Sequence, residues 1–166
     1  MRGIAFGLAG GGLVTLTMSL VYAQSREAFL SPVFQWSLVV VYIAAMTLPL
    51  LRRPQLERMA AIRTALVAYM LVSACYYMYT YALYEFFDPS LYELQSELMI
   101  ENAQRYSTNT PGSAQQAPEQ IYSPENLAYT PGGVAYSYAL GILSGAAVAF
   151  LLGNLLGRSS PDPSHG

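Results

Sequence analysis

Glu93, Glu97 and Glu101 recur at intervals of four and are followed by Arg105. On a helix that interval keeps side chains on one side. Three carboxylates on one side are ligands only for a hard cation such as calcium or magnesium. Solvated helix faces carry the same pattern, and no other residue type joins it here. The single histidine is His165, in a polar tail, so neither a His-based zinc site nor a Ser-His-Asp triad can be built. Cys75 is the single cysteine and has no internal partner for a disulfide. It falls inside an apolar stretch, where a thiol behaves as a small hydrophobe. Gly10-Gly11-Gly12 also lies inside an apolar stretch, not between a strand and a helix, so it is no phosphate-binding loop. The remaining constellation is Tyr69, Ser73, Tyr77 and Thr80. Steps of four, four and three place them on one helix face. Such a polar-lined face is a candidate to meet a lipid or quinone-like head group. The plainer reading takes Tyr69, Tyr76, Tyr77, Tyr79, Tyr81 and Tyr84 as a belt with rings in the apolar layer and hydroxyls at its edge. No enzyme, cofactor or metal site is expected.

The elements that carry these residues follow from composition. The chain has 166 residues, of which 54% are hydrophobic and 11% charged, with a net charge of -2. Its mean hydropathy is +0.32. A soluble domain is roughly 25% charged, so an ordinary soluble enzyme and a disordered tail are both excluded. The charge balance offers no basic patch for nucleic acid. The apolar residues form four blocks, at about 3–23, 32–51, 64–84 and 134–156. A bilayer core needs roughly 20 helical residues, and backbone in lipid must satisfy its own hydrogen bonds. The expected fold is therefore all-α, an integral membrane four-helix bundle. It forms one transmembrane domain over 1–158, followed by a flexible cytoplasmic tail at 159–166.

Orientation follows from the arginines, since there is no lysine. Arg2, Arg52, Arg53, Arg58, Arg63 and Arg158 fall on one side, Arg26 and Arg105 on the other. The positive-inside rule makes the first side cytoplasmic, with both termini there. A competing reading takes Val21-Tyr22-Ala23-Gln24 as the end of a cleaved signal peptide. No Asp, Glu, His or Arg lies deep in a span, where proton relays and coupled transporters place them. Gln35 and Asn154, near span ends, read as helix contacts or snorkelling groups.

Two blocks are striped with small residues. The first carries Gly3, Gly7, Gly11, Thr15 and Ser19; the last carries Ser137, Gly141, Gly145, Ala149, Gly153 and Gly157. In lipid, helices associate through close backbone approach at small residues. Both spans should pack tightly, on each other or on a partner. The outer loop, 85–133, holds a short amphipathic helix. Its start is capped either by Asp88 ahead of Pro89, or by Ser90 with Glu93. From Ser107 to Gly132 the chain turns to Ser, Thr, Gln, Pro and Gly and reads as a linker. Ser123-Pro124-Glu125 is placed to start one helical turn before the last span.

Tyr84-Glu85-Phe86-Phe87-Asp88-Pro89-Ser90-Leu91-Tyr92, together with the Gly-rich first span and the basic link, resembles a family of small bacterial four-span proteins, domain of unknown function 4199. That family commonly ends its third span in aromatics and Asp-Pro, then a charged amphipathic helix. The basic link here lacks the family's longer Lys- and Gly-containing stretch, and the outer loop is richer in Pro and Gln. The resemblance implies topology and membrane location, and it transfers no catalytic residue. The expected role is structural or accessory in a bacterial inner membrane. The expected partners are membrane lipids and either further copies of the chain or subunits of a membrane complex. A small transporter or channel for a neutral or lipid-like solute is the alternative.

Overall fold

The computed structural model describes residues 2–52, 56–107, 123–127 and 130–157. The tail at 159–166, Arg53, Arg158 and most of the Pro/Gln-rich linker lie outside the described residues. So do the side chains of Arg2 and Arg105. Every regular element among the described residues is a helix. Four of them are long and apolar enough to cross a membrane, which makes the chain a multi-pass membrane protein by length and composition.

In chain order the elements are α1 (Arg2–Gln24), α2 (Arg26–Leu30), α3 (Pro32–Leu51), α4 (Arg58–Ala82), a π-helical turn (Leu83–Phe87), α5 (Leu91–Ser107), α6 (Pro124–Leu127) and α7 (Pro131–Leu156). Three of the four expected spans agree with these bounds to within three residues. The third does not: α4 begins at Arg58, not at Thr64. A run without charge ends at Arg63, but the helix does not, because arginine is a good helix former. The short α2 was not expected. Ser25 caps it by accepting from the Ala28 N–H at 3.2 Å, and Ser31 caps α3 by accepting from the Phe34 N–H at 3.2 Å. Pro32 then occupies the first turn of α3, where its missing N–H costs nothing. Pro49 sits in the last turn of that helix and is buried.

The chain divides into two compact units, Met1–Tyr79 with Ala135–Gly166, and Thr80–Val134. In the first, α1 runs parallel to α4: Gly3 meets Thr64, Gly7 meets Ala68 and Leu71, and Gly11 meets Cys75. Helix α7 runs antiparallel to α4, with Gly145 at Tyr69, Gly153 at Ile62 and Gly157 at Arg58. Helix α3 runs antiparallel to α1, with Gly10 at Ala45 and Phe6 under Arg52. The first and last spans therefore both flank α4, and each stripe of glycines is used there. A core of Met46, Leu50, Ala61, Ala65 and Ala149 closes the arginine-rich end, with Leu56, Ile62 and Leu152 against it.

Small-residue spacing explains where the α1 stripe stops working. A four-residue step drifts about 40° per step on a helix of 3.6 residues per turn. Gly3, Gly7, Gly10 and Gly11 are buried, but the buried line then passes to Val14 and Met18. Thr15 and Ser19 are half-buried and donate to the carbonyls of Gly11 and Thr15.

In the second unit, the π turn closes with the Asp88 N–H donating to the Leu83 carbonyl at 2.7 Å. Asp88 lies outside the helical region, with φ -148° and ψ 76°, in keeping with the bias of a following proline against the α conformation. Helix α5 starts one residue after Ser90, whose hydroxyl donates to the Asp88 carboxylate at 2.6 Å. Both residues proposed as caps thus meet at this start. Leu91 and Ser96 are buried, and Glu93, Glu97 and Glu101 are exposed. The turn buries Tyr84 and exposes Phe86 and Phe87. Tyr84 donates to the Gln95 side chain at 2.9 Å, and Tyr92 donates to Glu85 at 2.7 Å.

Candidate functional site

Helix α4 presents Tyr69, Ser73 and Tyr77 along the side that meets α3 and α7. Ser73 is 1% exposed and hydrogen-bonds the Tyr42 hydroxyl of α3. The rings of Tyr42 and Tyr69 pack at 5.4 Å. Tyr77 stands edge-on to Tyr138 of α7, with centroids 6.0 Å apart, and edge-on to Tyr76 at 5.2 Å. Edge-to-face contacts between rings are favourable because the positive rim of one meets the negative face of the other.

Two glycines of α7 make room for this cluster. A side chain at Gly145 would overlap the Tyr69 ring, whose Cγ lies 2.7 Å from the position of a Cβ. At Gly141 the hydroxyls of Tyr69 and Tyr77 approach to 3.5 Å and 3.7 Å of that position. Glycine here acts as a socket for a ring, and not only as a point of backbone approach.

Hydroxyls in lipid need partners, because water is absent to serve them. Tyr77 donates to the Ser137 carbonyl at 3.3 Å, and Tyr138 donates to the Met70 carbonyl at 3.1 Å. Tyr76 donates to the Gln35 side-chain oxygen at 3.0 Å, and Gln35 donates onward to the Phe29 carbonyl at 3.0 Å. Gln35 is thus a contact among α2, α3 and α4. Asn154 instead donates to the Phe150 carbonyl of its own helix at 2.7 Å. On the α1 side, the Ser19 hydroxyl lies 3.0 Å from that of Tyr79. Among the described residues, no buried side-chain nitrogen or oxygen lacks a partner.

The candidate face therefore divides. Tyr69, Ser73 and Tyr77 share one side of α4 and meet other helices of the bundle. Thr80 is buried in the second unit. The residues that complete the cluster from other helices are Tyr42, Gln35 and Tyr138. No spacing within α4 points to them, since they stand far away in sequence. The packing glycines Gly3, Gly7, Gly11, Gly141, Gly145 and Gly153 all lie against α4, the shared neighbour of the first and last spans.

Chemically, the cluster offers phenols, one amide and one small hydroxyl, all donors or acceptors and none a strong base. Among the described residues, no group of three or more His, Cys, Asp or Glu is placed to hold a metal ion. The arrangement can hold helices in register. No protein-family model, curated protein or solved structure matches the chain.

Proposed function

We propose that this chain is a structural or accessory component of a bacterial inner membrane, working as a homo-oligomer or as a subunit of a larger complex. The observation that carries this reading is the division of labour between inside and outside. Ser73, Tyr76, Tyr77 and Tyr79 of α4 are engaged with Tyr42 and Gln35 of α3, Ser137 of α7 and Ser19 of α1, and Tyr138 of α7 reaches back to Met70. The outward surface is left to Leu8, Leu13 and Leu16 of α1, Val33, Trp36 and Val40 of α3, and Leu143, Phe150 and Leu155 of α7, all exposed. Such a surface suits lipid or a neighbouring membrane helix. The arginine-rich end faces the cytoplasm in this reading, by the positive-inside rule. The resemblance to domain of unknown function 4199 supports the same topology and brings no activity.

Transport of a neutral or lipid-like solute along Tyr69, Ser73, Tyr77 and Thr80 is less well supported. Of the hydroxyls that would line the path, that of Ser73 is bonded to Tyr42, that of Tyr77 to the Ser137 carbonyl, and Thr80 is buried. The deciding experiment is extraction in mild detergent, with mass measurement of the intact particle and identification of co-purifying proteins. A multimer or a reproducible partner is expected. A strict monomer that brings nothing with it defeats the proposal.

A further inference from the structure

Arg63 lies on a side of α4 that none of the described helices covers. Because α4 starts at Arg58, Arg63 stands about 7.5 Å inside the helix, not at its end. On one side of it, Ala61 and Ala65 enter the core with Met46 and Leu50 of α3. On the second side, the Thr64 carbonyl meets Gly3 of α1. On the third, Ile62 meets Gly153 of α7. Arg63 occupies the fourth and is exposed. Four residues before it Met59 is 65% exposed, four residues after it Val67 is 36% exposed, and Met78 continues the strip at 72%.

A permanent cation thus stands near one end of a strip of exposed and half-buried apolar side chains flanked by α1 and α7. Arg63 has no ion pair with a carboxylate among the described residues. Between Arg52 and Arg63 there are four arginines and one acid, Glu57. At the same end of the bundle, Arg52 stands 5.4 Å over the Phe6 ring of α1. Arg58 lies beside Gly157 of α7. A guanidinium near hydrocarbon is costly unless an anion meets it, and its planar fork matches two oxygens of a phosphate. The complementary molecule is anionic at the depth of Arg63 and apolar beyond it.

We propose that an anionic phospholipid places its phosphodiester on Arg63 and lays an acyl chain along Val67 and the strip that ends at Met78. This rests on the membrane-spanning architecture and not on the oligomeric role, so either can fail without the other. The test offers the purified full chain equimolar phosphatidylglycerol and phosphatidylcholine in mixed micelles and measures the lipid retained by native mass spectrometry. Phosphatidylglycerol should be enriched about fivefold, the preference expected for one arginine near the surface. Arg63→Gln should return the ratio to that of the bulk mixture. Arg63→Lys should keep part of the enrichment, and Arg26→Gln all of it. Equal retention of both lipids, or enrichment unchanged in Arg63→Gln, overturns the proposal. So does displacement of the lipid by millimolar inorganic phosphate, which would mark a site for free anions. Should Arg63→Gln not fold, thermal unfolding of the natural chain decides: a midpoint raised by phosphatidylglycerol alone supports the site, and one raised equally by both lipids refutes it.

Discussion

The two flanks of α4 are both lined by glycine, yet the glycines work differently on each. On the α1 flank Gly3 brings main chains together, Gly7 meets both main chain and the Leu71 side chain, and Gly11 meets the Cys75 side chain. The Cβ position of Gly3 is 2.7 Å from the Thr64 carbonyl oxygen, and that of Gly7 is 3.0 Å from the Ala68 carbonyl oxygen. On the α7 flank, Gly141 and Gly145 leave space for the side chains of Tyr69 and Tyr77. The α1 flank thus begins as backbone on backbone at Gly3, and the α7 flank holds Tyr69 and Tyr77 in sockets at Gly141 and Gly145 before it too meets main chain, at Ile62 and Arg58. The same four-residue stripe encodes both. What differs is the residue opposite: Thr64 and Ala68 are small enough for the backbone to be reached, and Tyr69 is not.

The largest expected effect tests the socket. Gly145→Ala drives a methyl group into the Tyr69 ring, which Tyr42 holds from behind. Overpacking of this kind costs about 1–3 kcal/mol, and the upper half of that range is expected in unfolding from detergent. Tyr69→Ala removes the obstacle. The double variant should therefore be more stable than the sum of the two single losses by at least about 1 kcal/mol. Simple additivity would mean that Tyr69 does not fill the Gly145 socket, and the distinction between flanks would collapse.

Gly3→Ala probes the other flank and should cost less, about 1 kcal/mol, because the first turn of α1 can shift slightly to relieve the contact. The contrast is in the rescue. The obstacle is the Thr64 carbonyl, so truncating the Thr64 side chain cannot relieve it, and Thr64→Ala should leave the Gly3→Ala loss intact. Rescue by Thr64→Ala in the same unfolding assay would show that the Gly3 contact also works through a side chain.

The two flanks were unequally legible in the sequence. Charge-free blocks of about 20 residues locate helices well, because a bilayer core fixes the length required. They locate helix ends badly, as Arg63 showed, since the backbone continues through a charge that hydropathy stops at. The stripes announced close packing but not the partner: a glycine reports that something approaches, and only the fold says what. Tyr69, Ser73 and Tyr77 could be placed on one side of α4 by counting. Tyr42, Gln35 and Tyr138 could not, because they join the cluster from helices distant in the chain. Helix α2 was signalled only by Ser25 and Ser31, each three residues before the N–H it caps. The π turn has no comparable mark beyond the Asp88-Pro89 stop that follows it.

A smaller effect separates the hydrogen bonds of the α7 flank from its packing. Tyr138→Phe keeps the ring against Tyr77 and removes the donor to the Met70 carbonyl. Hydrogen bonds between membrane helices average about 0.6 kcal/mol, so the loss should be near that and well below that of Gly145→Ala. A loss as large as the Gly145 variant's would make the α7 flank a polar seam and not a set of sockets.

The smallest expected effect belongs to Gly12, the glycine of α1 that faces away from both α3 and α4. It is exposed, and no atom lies within 4 Å of the position its Cβ would take. An added methyl meets no other part of the chain, and alanine favours the helix over glycine by up to about 1 kcal/mol. Gly12→Ala should leave the unfolding midpoint unchanged or raise it slightly, while Gly3→Ala lowers it. The measurement also bears on assembly, because Leu8, Leu13 and Leu16 surround Gly12 on the exposed side. If Gly12→Ala instead lowers stability as Gly3→Ala does, and the loss grows with protein concentration, a second chain covers this face of α1. The stripe would then serve three neighbours, and the close packing of α1 would extend beyond the single bundle.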